Sequence, residues 1–131
     1  APVADIGTVR SDISILIIED NKMNQKVIGA MLNSLGYSYE VAEDGWVGYQ
    51  LAKSKKFDLI FMDLIMPEMG GGEVFDQLKR INPRVKVILA SGFSLEGQAR
   101  EIMNRGCDGF LQKPFTLEDF SVRMRSLIGC K

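Results

Sequence analysis

The sequence predicts an α/β fold, a parallel sheet with helices on both faces, and three observations carry that expectation. Short apolar runs alternate with amphipathic ones from Ile13 onward. The apolar runs are continuous rather than alternating, as in strands covered on both sides. Each hands over to a segment with helical spacing, which is the order of a β-α unit. At 131 residues, with 46% hydrophobic and 25% charged content, the chain suits one domain with enough length to bury a core.

The elements follow in order. "ISILII", Ile13 to Ile18, is the first strand; Ile28, Met31, Leu32 and Leu35 then keep i, i+3, i+4, i+7 spacing, and Gly36 stops that helix. Ser38 to Ala42 is a second, shorter strand leading through "EDG" into a helix from Trp46 to Lys53, which Val47 and Gly48 weaken. "FDLIFM", Phe57 to Met62, is the third strand. After a turn at Met66-Pro67 and the glycines 70 to 72, Val74, Leu78 and Ile81 give a third helix, closed by Asn82-Pro83. "VKVILA", Val85 to Ala90, is the fourth strand, and Leu95, Ala99, Ile102 and Met103 line a fourth helix that stops near Gly106. "DGFL", Asp108 to Leu111, is the fifth strand. Thr116 with Asp119 three residues later forms a capping pattern for the last helix, which should turn Leu117, Phe120, Met124, Leu127 and Ile128 inward.

Composition removes several classes of function. A net charge of -1 leaves no basic face for direct nucleic-acid binding and no polybasic tract for direct membrane contact. No apolar run approaches the ~20 residues of a membrane-crossing helix, and "APVADIGTVRSD" is not the charged-then-apolar pattern of a secretion signal. The two cysteines, Cys107 and Cys130, lie in no metal or redox spacing and suit free thiols in a reducing compartment. There are no histidines, so a histidine-based triad or a phosphohistidine within this chain is impossible. The seven methionines, Met23 among them, read as core filler and loop packing.

Right-handed crossovers bring the C-terminal ends of parallel strands to one edge, where open α/β sheets bind ligands. Those ends carry Glu19 and Asp20, Asp63, Ser91 and Lys113. Three converging carboxylates repel unless protonated or bridged by a cation, and all-oxygen ligation suits Mg²⁺. Ser91 offers a hydroxyl and Lys113 a compact cation, both suited to phosphoryl oxygens. The set reads as a phosphoryl-transfer site. With no histidine, and no base evident beside Ser91, the nucleophile is a carboxylate, and Asp63 at the tip of a central strand is best placed. Taken singly, each of these residues has a plainer role: an N-cap, a turn, a surface cation. A carboxylate closing an apolar strand, however, needs a partner.

Four motifs in this order resemble the receiver domain of two-component response regulators, from about Ile13 to about Gly129. They are "IIEDN", "MDLIMPEMGG" with Asp63, Met66, Pro67, Met69 and Gly71, "ILASG" with Ser91, and "GFLQKPF" with Lys113 and Pro114. The resemblance implies a flavodoxin-like (βα)5 doubly wound fold, its five-stranded parallel sheet in order 2-1-3-4-5, over residues 13–131, with 1–12 as an N-terminal extension or linker. It implies phosphorylation of Asp63 by a histidine kinase or histidine phosphotransfer domain. Asp20, Asp63 and the backbone carbonyl of Ile65 would ligate Mg²⁺, with Glu19 helping through water. Ser91 and Lys113 would hold the phosphoryl oxygens, the metal and lysine neutralising the charge that makes the attack difficult. Phe110 matches the switch aromatic: phosphorylation would draw Ser91 inward and bias Phe110 between outward and inward positions, reshaping the face built from the fourth helix, fifth strand and fifth helix. The chain would thus catalyse its own phosphorylation and dephosphorylation.

Several positions depart from the family pattern. Ile65 and Phe93 lie where water reaches the acyl phosphate; both are bulky and apolar, which predicts slow autodephosphorylation. Trp46 and Tyr49 replace polar or small residues, and Val47-Gly48 replaces Glu-Ala, so that helix is read as a contact surface. A haloacid-dehalogenase-like phosphatase needs a second Asp where Ile65 stands, and "EDNKMN" would repel a flavin phosphate. The segments "EDNKMNQKV" and "ASGFS" are closer to receivers of hybrid sensor histidine kinases; the alternative is a stand-alone regulator. Either setting is cytoplasmic, the first as the cytoplasmic part of a membrane-tethered kinase, and a phosphorylation-dependent dimer is compatible with both.

Overall fold

Continuous apolar strands flanked by amphipathic helices fold here into one five-stranded parallel sheet in the order β2-β1-β3-β4-β5. The computed structural model describes residues 13–63, 71–92 and 98–128. The strands are β1 (Ile15–Ile18), β2 (Glu40–Ala42), β3 (Leu59–Asp63), β4 (Lys86–Ser91) and β5 (Gly109–Gln112). The helices are α1 (Lys22–Ser34), α2 (Gly45–Ser54), α3 (Gly71–Ile81), α4 (Gln98–Asn104) and α5 (Leu117–Ile128). The expectations resting on Ile65, Met66, Pro67, Met69, Phe93, Leu95, Cys130 and residues 1–12 lie outside the described residues.

Alternation along the strands splits the core into two layers. Leu16, Ile18, Ile60, Met62, Val87 and Leu89 face Val74, Phe75 and Leu78 of α3 and Ala99 and Ile102 of α4. Ile15, Ile17, Leu59, Phe61, Ile88 and Ala90 face Ile28 and Leu32 of α1 and Phe120 and Met124 of α5. All residues of β1 and β3 are buried, as an interior parallel strand requires.

Local chemistry sets the helix ends. Asn21 caps α1, its side chain accepting from the Asn24 amide at 3.0 Å. Asp44 caps α2 through the Val47 amide at 2.8 Å. Thr116 and Asp119 form the expected reciprocal box, with bonds of 3.0 and 3.1 Å between each side chain and the other's amide. Gly36 and Gly106 take φ of 89° and 110°, a left-handed turn that a side chain disfavours, and each ends a helix.

Two expectations need correction. Leu117 is 42% exposed: it is the first residue of α5 and lies outside the Phe120–Met124 stripe that meets the sheet. Met23 is 70% exposed on α1, because it falls off the Ile28–Leu32 stripe. The plainer alternative of an N-cap applies to neither Glu19 nor Asp20, since Asn21 caps α1. Helix α2, expected from Trp46 to Lys53, runs from Gly45 to Ser54 with Gly48 inside it, and the side chain of Ile18 fills the space where a Cβ on Gly48 would stand, 2.5 Å away at the nearest atom. Trp46 is 55% exposed and stacks on Tyr49 with ring centroids 5.6 Å apart, while Lys53 sits over the Tyr49 ring at 5.3 Å.

Candidate functional site

The acidic residues converge because β1 and β3 are hydrogen-bonded neighbours in parallel register, Ile18 beside Met62. Each strand therefore delivers its next residue, Glu19 or Asp63, to the same edge. One carboxylate oxygen from each of Glu19, Asp20 and Asp63 lies within 4.8 Å of the others. Glu19 is fully buried and Asp63 is 7% exposed, whereas Asp20 faces solvent.

Lys113 supplies the balancing charge. Its Nζ donates to Glu19 Oε1 and to Asp63 Oδ1, both at 3.2 Å. The lysine is brought there by the sheet: the Lys113 amide donates to the Ser91 carbonyl at 2.7 Å, extending the β4-β5 ladder by one bond past Ser91 opposite Gln112. The following Lys113-Pro114 peptide is cis. Ser91 is fully buried at the end of β4, one residue past Ala90, which pairs with Asp63. Thus Glu19, Asp20, Asp63 and Lys113 are brought together with Ser91 on the adjoining strand end. Phe110 lies elsewhere, half-buried on β5 and packed against the α3-α4 core layer; Ile65 is outside the described residues.

Glu19 holds its carboxyl above the usual carboxylate range, first because burial disfavours its charge and then because Asp63 lies beside it. Lys113 and the Asn21 amide pull in the opposite direction. Three carboxylates against one lysine leave excess negative charge in a half-dry cleft, and an all-oxygen donor set of that kind fits a hard divalent cation such as Mg²⁺.

The sequence reading missed the residues that hold Glu19. The Asn21 amide and Asn24 Nδ2 donate to Glu19 Oε2 at 3.2 and 3.4 Å, and Gln25 Nε2 donates to the Glu19 carbonyl at 2.7 Å. Their spacing of two, five and six residues from Glu19 was the available signal, the reach of a first helical turn back to the strand that precedes it. Also missed was a groove of about 350 Å³ lined by Asn24, Val27, Ile28, Met31, Lys113, Pro114 and Phe115. Among the described residues no helix is long and apolar enough to cross a membrane.

Comparison with known proteins agrees with this geometry. Residues 15–125 match the family model of the response regulator receiver domain. The chain is 30% identical over 118 residues to the polar-differentiation response regulator DivK of Brucella anthropi, covering 88% of this chain and 96% of DivK. It is 32% identical over 120 residues to hybrid signal transduction histidine kinase F of Dictyostelium discoideum, covering 87% of this chain but only 11% of that kinase. Among solved structures, the receiver domain of the sensor histidine kinase PA1611 from Pseudomonas aeruginosa PAO1, which has a magnesium ion coordinated in its active-site cleft, superposes with a TM-score of 0.83. It is 31% identical, over 90% of this chain and 98% of that one. A sheet in this order, an acidic cluster at the ends of β1 and β3, a lysine after β5 and a family match over most of the length converge on one conclusion: the chain belongs to the response regulator receiver domains of two-component signalling.

Proposed function

We propose that the chain is a phosphoacceptor: Asp63 takes a phosphoryl group from a phosphohistidine on a histidine kinase or histidine phosphotransfer domain. The observation that carries this is the placement of Asp63, nearly buried at the tip of β3, bonded to Lys113 and within 4.8 Å of two further carboxylates. In the transfer, an Asp63 carboxylate oxygen attacks phosphorus, the P–N bond breaks, and its electron pair leaves with the imidazole. Lys113, already aimed at Asp63, can follow the incoming oxygens and offset their charge. Ser91, at the next strand end, offers a hydroxyl to the same group.

Asp20 and Asp63 would hold Mg²⁺, with Glu19 behind them and the Ile65 carbonyl completing the set. The bound ion would neutralise charge on the phosphoryl oxygens. The groove between α1 and the residues after β5 ends at Lys113 and is mainly apolar, with Met23 and Val27 exposed on the same helix at 70% and 46%. It suits the apolar face of a donor helix that presents its histidine to Asp63. Phe110, packed against the α3-α4 layer, is the candidate reader of phosphorylation for the face formed by α4, β5 and α5.

Residues 13–131 form the receiver and 1–12 a linker or extension in this reading. The likeness to a hybrid kinase and to the receiver of a sensor kinase supports a place within a kinase chain, which this reading sets in the cytoplasm. The near-complete coverage of DivK, 96% of its length, supports a stand-alone regulator instead. Incubation with acetyl phosphate, followed by intact mass measurement, tests the central claim. A gain of one phosphoryl group that requires Mg²⁺ and is lost in Asp63→Asn is expected. Equal labelling of Asp63→Asn would reject Asp63 as the acceptor.

A further inference from the structure

The three carboxylates of the cleft are not held alike. Glu19 is gripped by Asn21, Asn24 and Lys113, and Asp63 by Lys113. Among the described residues no side chain holds the carboxylate of Asp20, which faces solvent. Its direction must come from the backbone. The peptide unit joining Glu19 to Asp20 is planar, so fixing the Glu19 carbonyl also fixes the Asp20 amide and narrows how its Cα–Cβ bond leaves the chain. Two bonds do this. The Glu19 amide donates to the Ala42 carbonyl at 3.0 Å, anchoring the residue to the end of β2. The Glu19 carbonyl accepts from Gln25 Nε2 at 2.7 Å, the shorter of the two. Gln25 is itself set by the first turn of α1, where its amide donates to the Asn21 carbonyl at 2.9 Å.

We propose that Gln25 is a positioning residue for the metal-binding cleft: its side-chain amide clamps the Glu19–Asp20 peptide and so aims Asp20 at the site it shares with Asp63. This rests on the acceptor-site reading above. A glutamine on the first turns of a helix is commonly a solvated residue; here it is half-buried and spends a donor on the one backbone carbonyl whose rotation would swing Asp20 away. The clamp matters most for a small ion. Mg²⁺ demands near-ideal octahedral geometry, whereas Ca²⁺ accepts irregular ligation at longer distances. A misdirected Asp20 therefore harms Mg²⁺ binding far more than Ca²⁺ binding. A change that only loosened the domain would weaken both alike.

The test is calorimetric titration of the whole chain with Mg²⁺ alone and with Ca²⁺ alone, for wild type, Gln25→Met and Gln25→Ala. Met keeps length and helix propensity without a donor; Ala leaves no long side chain to misplace. We expect each variant to lose about 10-fold in Mg²⁺ affinity, the usual scale for a lost outer-shell partner. Its Ca²⁺ affinity should change by less than about 3-fold, because that ion tolerates irregular geometry. Equal losses for both ions, or no loss for Mg²⁺, would overturn the positioning role while leaving the acceptor site intact. Failure of the wild type to bind either ion would remove both readings together.

Discussion

Glu19 is a fully buried carboxyl whose affinity for its proton is raised in the folded state, so its ionisation is coupled to folding. The folded state binds the proton more tightly than the unfolded chain does. In metal-free protein, its contribution to stability is fully present below the ordinary value of 4.5 and is lost as pH rises through the higher folded value. Thermal melts in chelator across that range should show this loss, and Glu19→Gln should flatten it; an unchanged slope in the variant would assign the effect elsewhere. If Asp63 is the acceptor, the family resemblance sets Ile65 and Phe93, both apolar, beside the path of an attacking water. Replacing them by Asn and Glu should shorten the lifetime of phosphorylated protein, followed by loss of the added mass over time. An unchanged lifetime would show that neither side chain restricts water. The convergence of Glu19, Asp20, Asp63, Ser91 and Lys113 was legible in the sequence because each stands within two residues of the end of an apolar run. The clamp by Gln25 and the bond from Asn24 were not, because they depend on how the first turn of α1 folds back over β1.

At the level of elements, α2 lies close to β1 because Gly48 leaves room for Ile18, whose Cδ1 and Cγ1 would stand 2.5 and 2.8 Å from an added Cβ. Ile18 is fully buried and part of the core layer, so it has little room to yield. Gly48→Ala should therefore destabilise by about 1 kcal/mol, an overpacking cost of ~1–3 kcal/mol offset by about 1 kcal/mol of helix propensity. Denaturant unfolding checks this; a stabilised variant would mean that α2 can shift outward. At α5, Thr116→Ala removes one half of the Thr116–Asp119 box and should cost about 1 kcal/mol. The capping box was readable because its spacing is local. Strand limits were readable only to within a residue or two: β3 and β4 each run one residue past the apolar run, to Asp63 and Ser91, since ladder bonds rather than hydropathy decide where a strand stops. Leu117 was misplaced for a similar reason, an apolar residue at the start of an amphipathic pattern but off its buried stripe.

For the whole molecule, excess negative charge in the cleft means that cation binding and folding support one another. Mg²⁺ at a hundred times its dissociation constant should add about 2.7 kcal/mol of stability, provided it binds only the folded chain. A rise in Tm with Mg²⁺ that is abolished in Asp20→Asn with Asp63→Asn would bear this out; an equal rise in that variant would place the ion elsewhere. The parallel sheet and its two-layer core were legible from run order alone, because continuous apolar strands can be satisfied only between two helical layers. The apolar groove beside α1 was not, since it is bounded by Val27 and Phe115, far apart in sequence. One feature of the surface bears on how unfolding can be watched. The single tryptophan, Trp46, is more than half exposed and touches Tyr49 instead of the core. Its emission should already be red-shifted and open to acrylamide quenching in the native protein, so fluorescence would change little on unfolding. The dark phenylalanines Phe61, Phe75 and Phe120 lie at the centre, which leaves circular dichroism and calorimetry as the probes that see the fold itself.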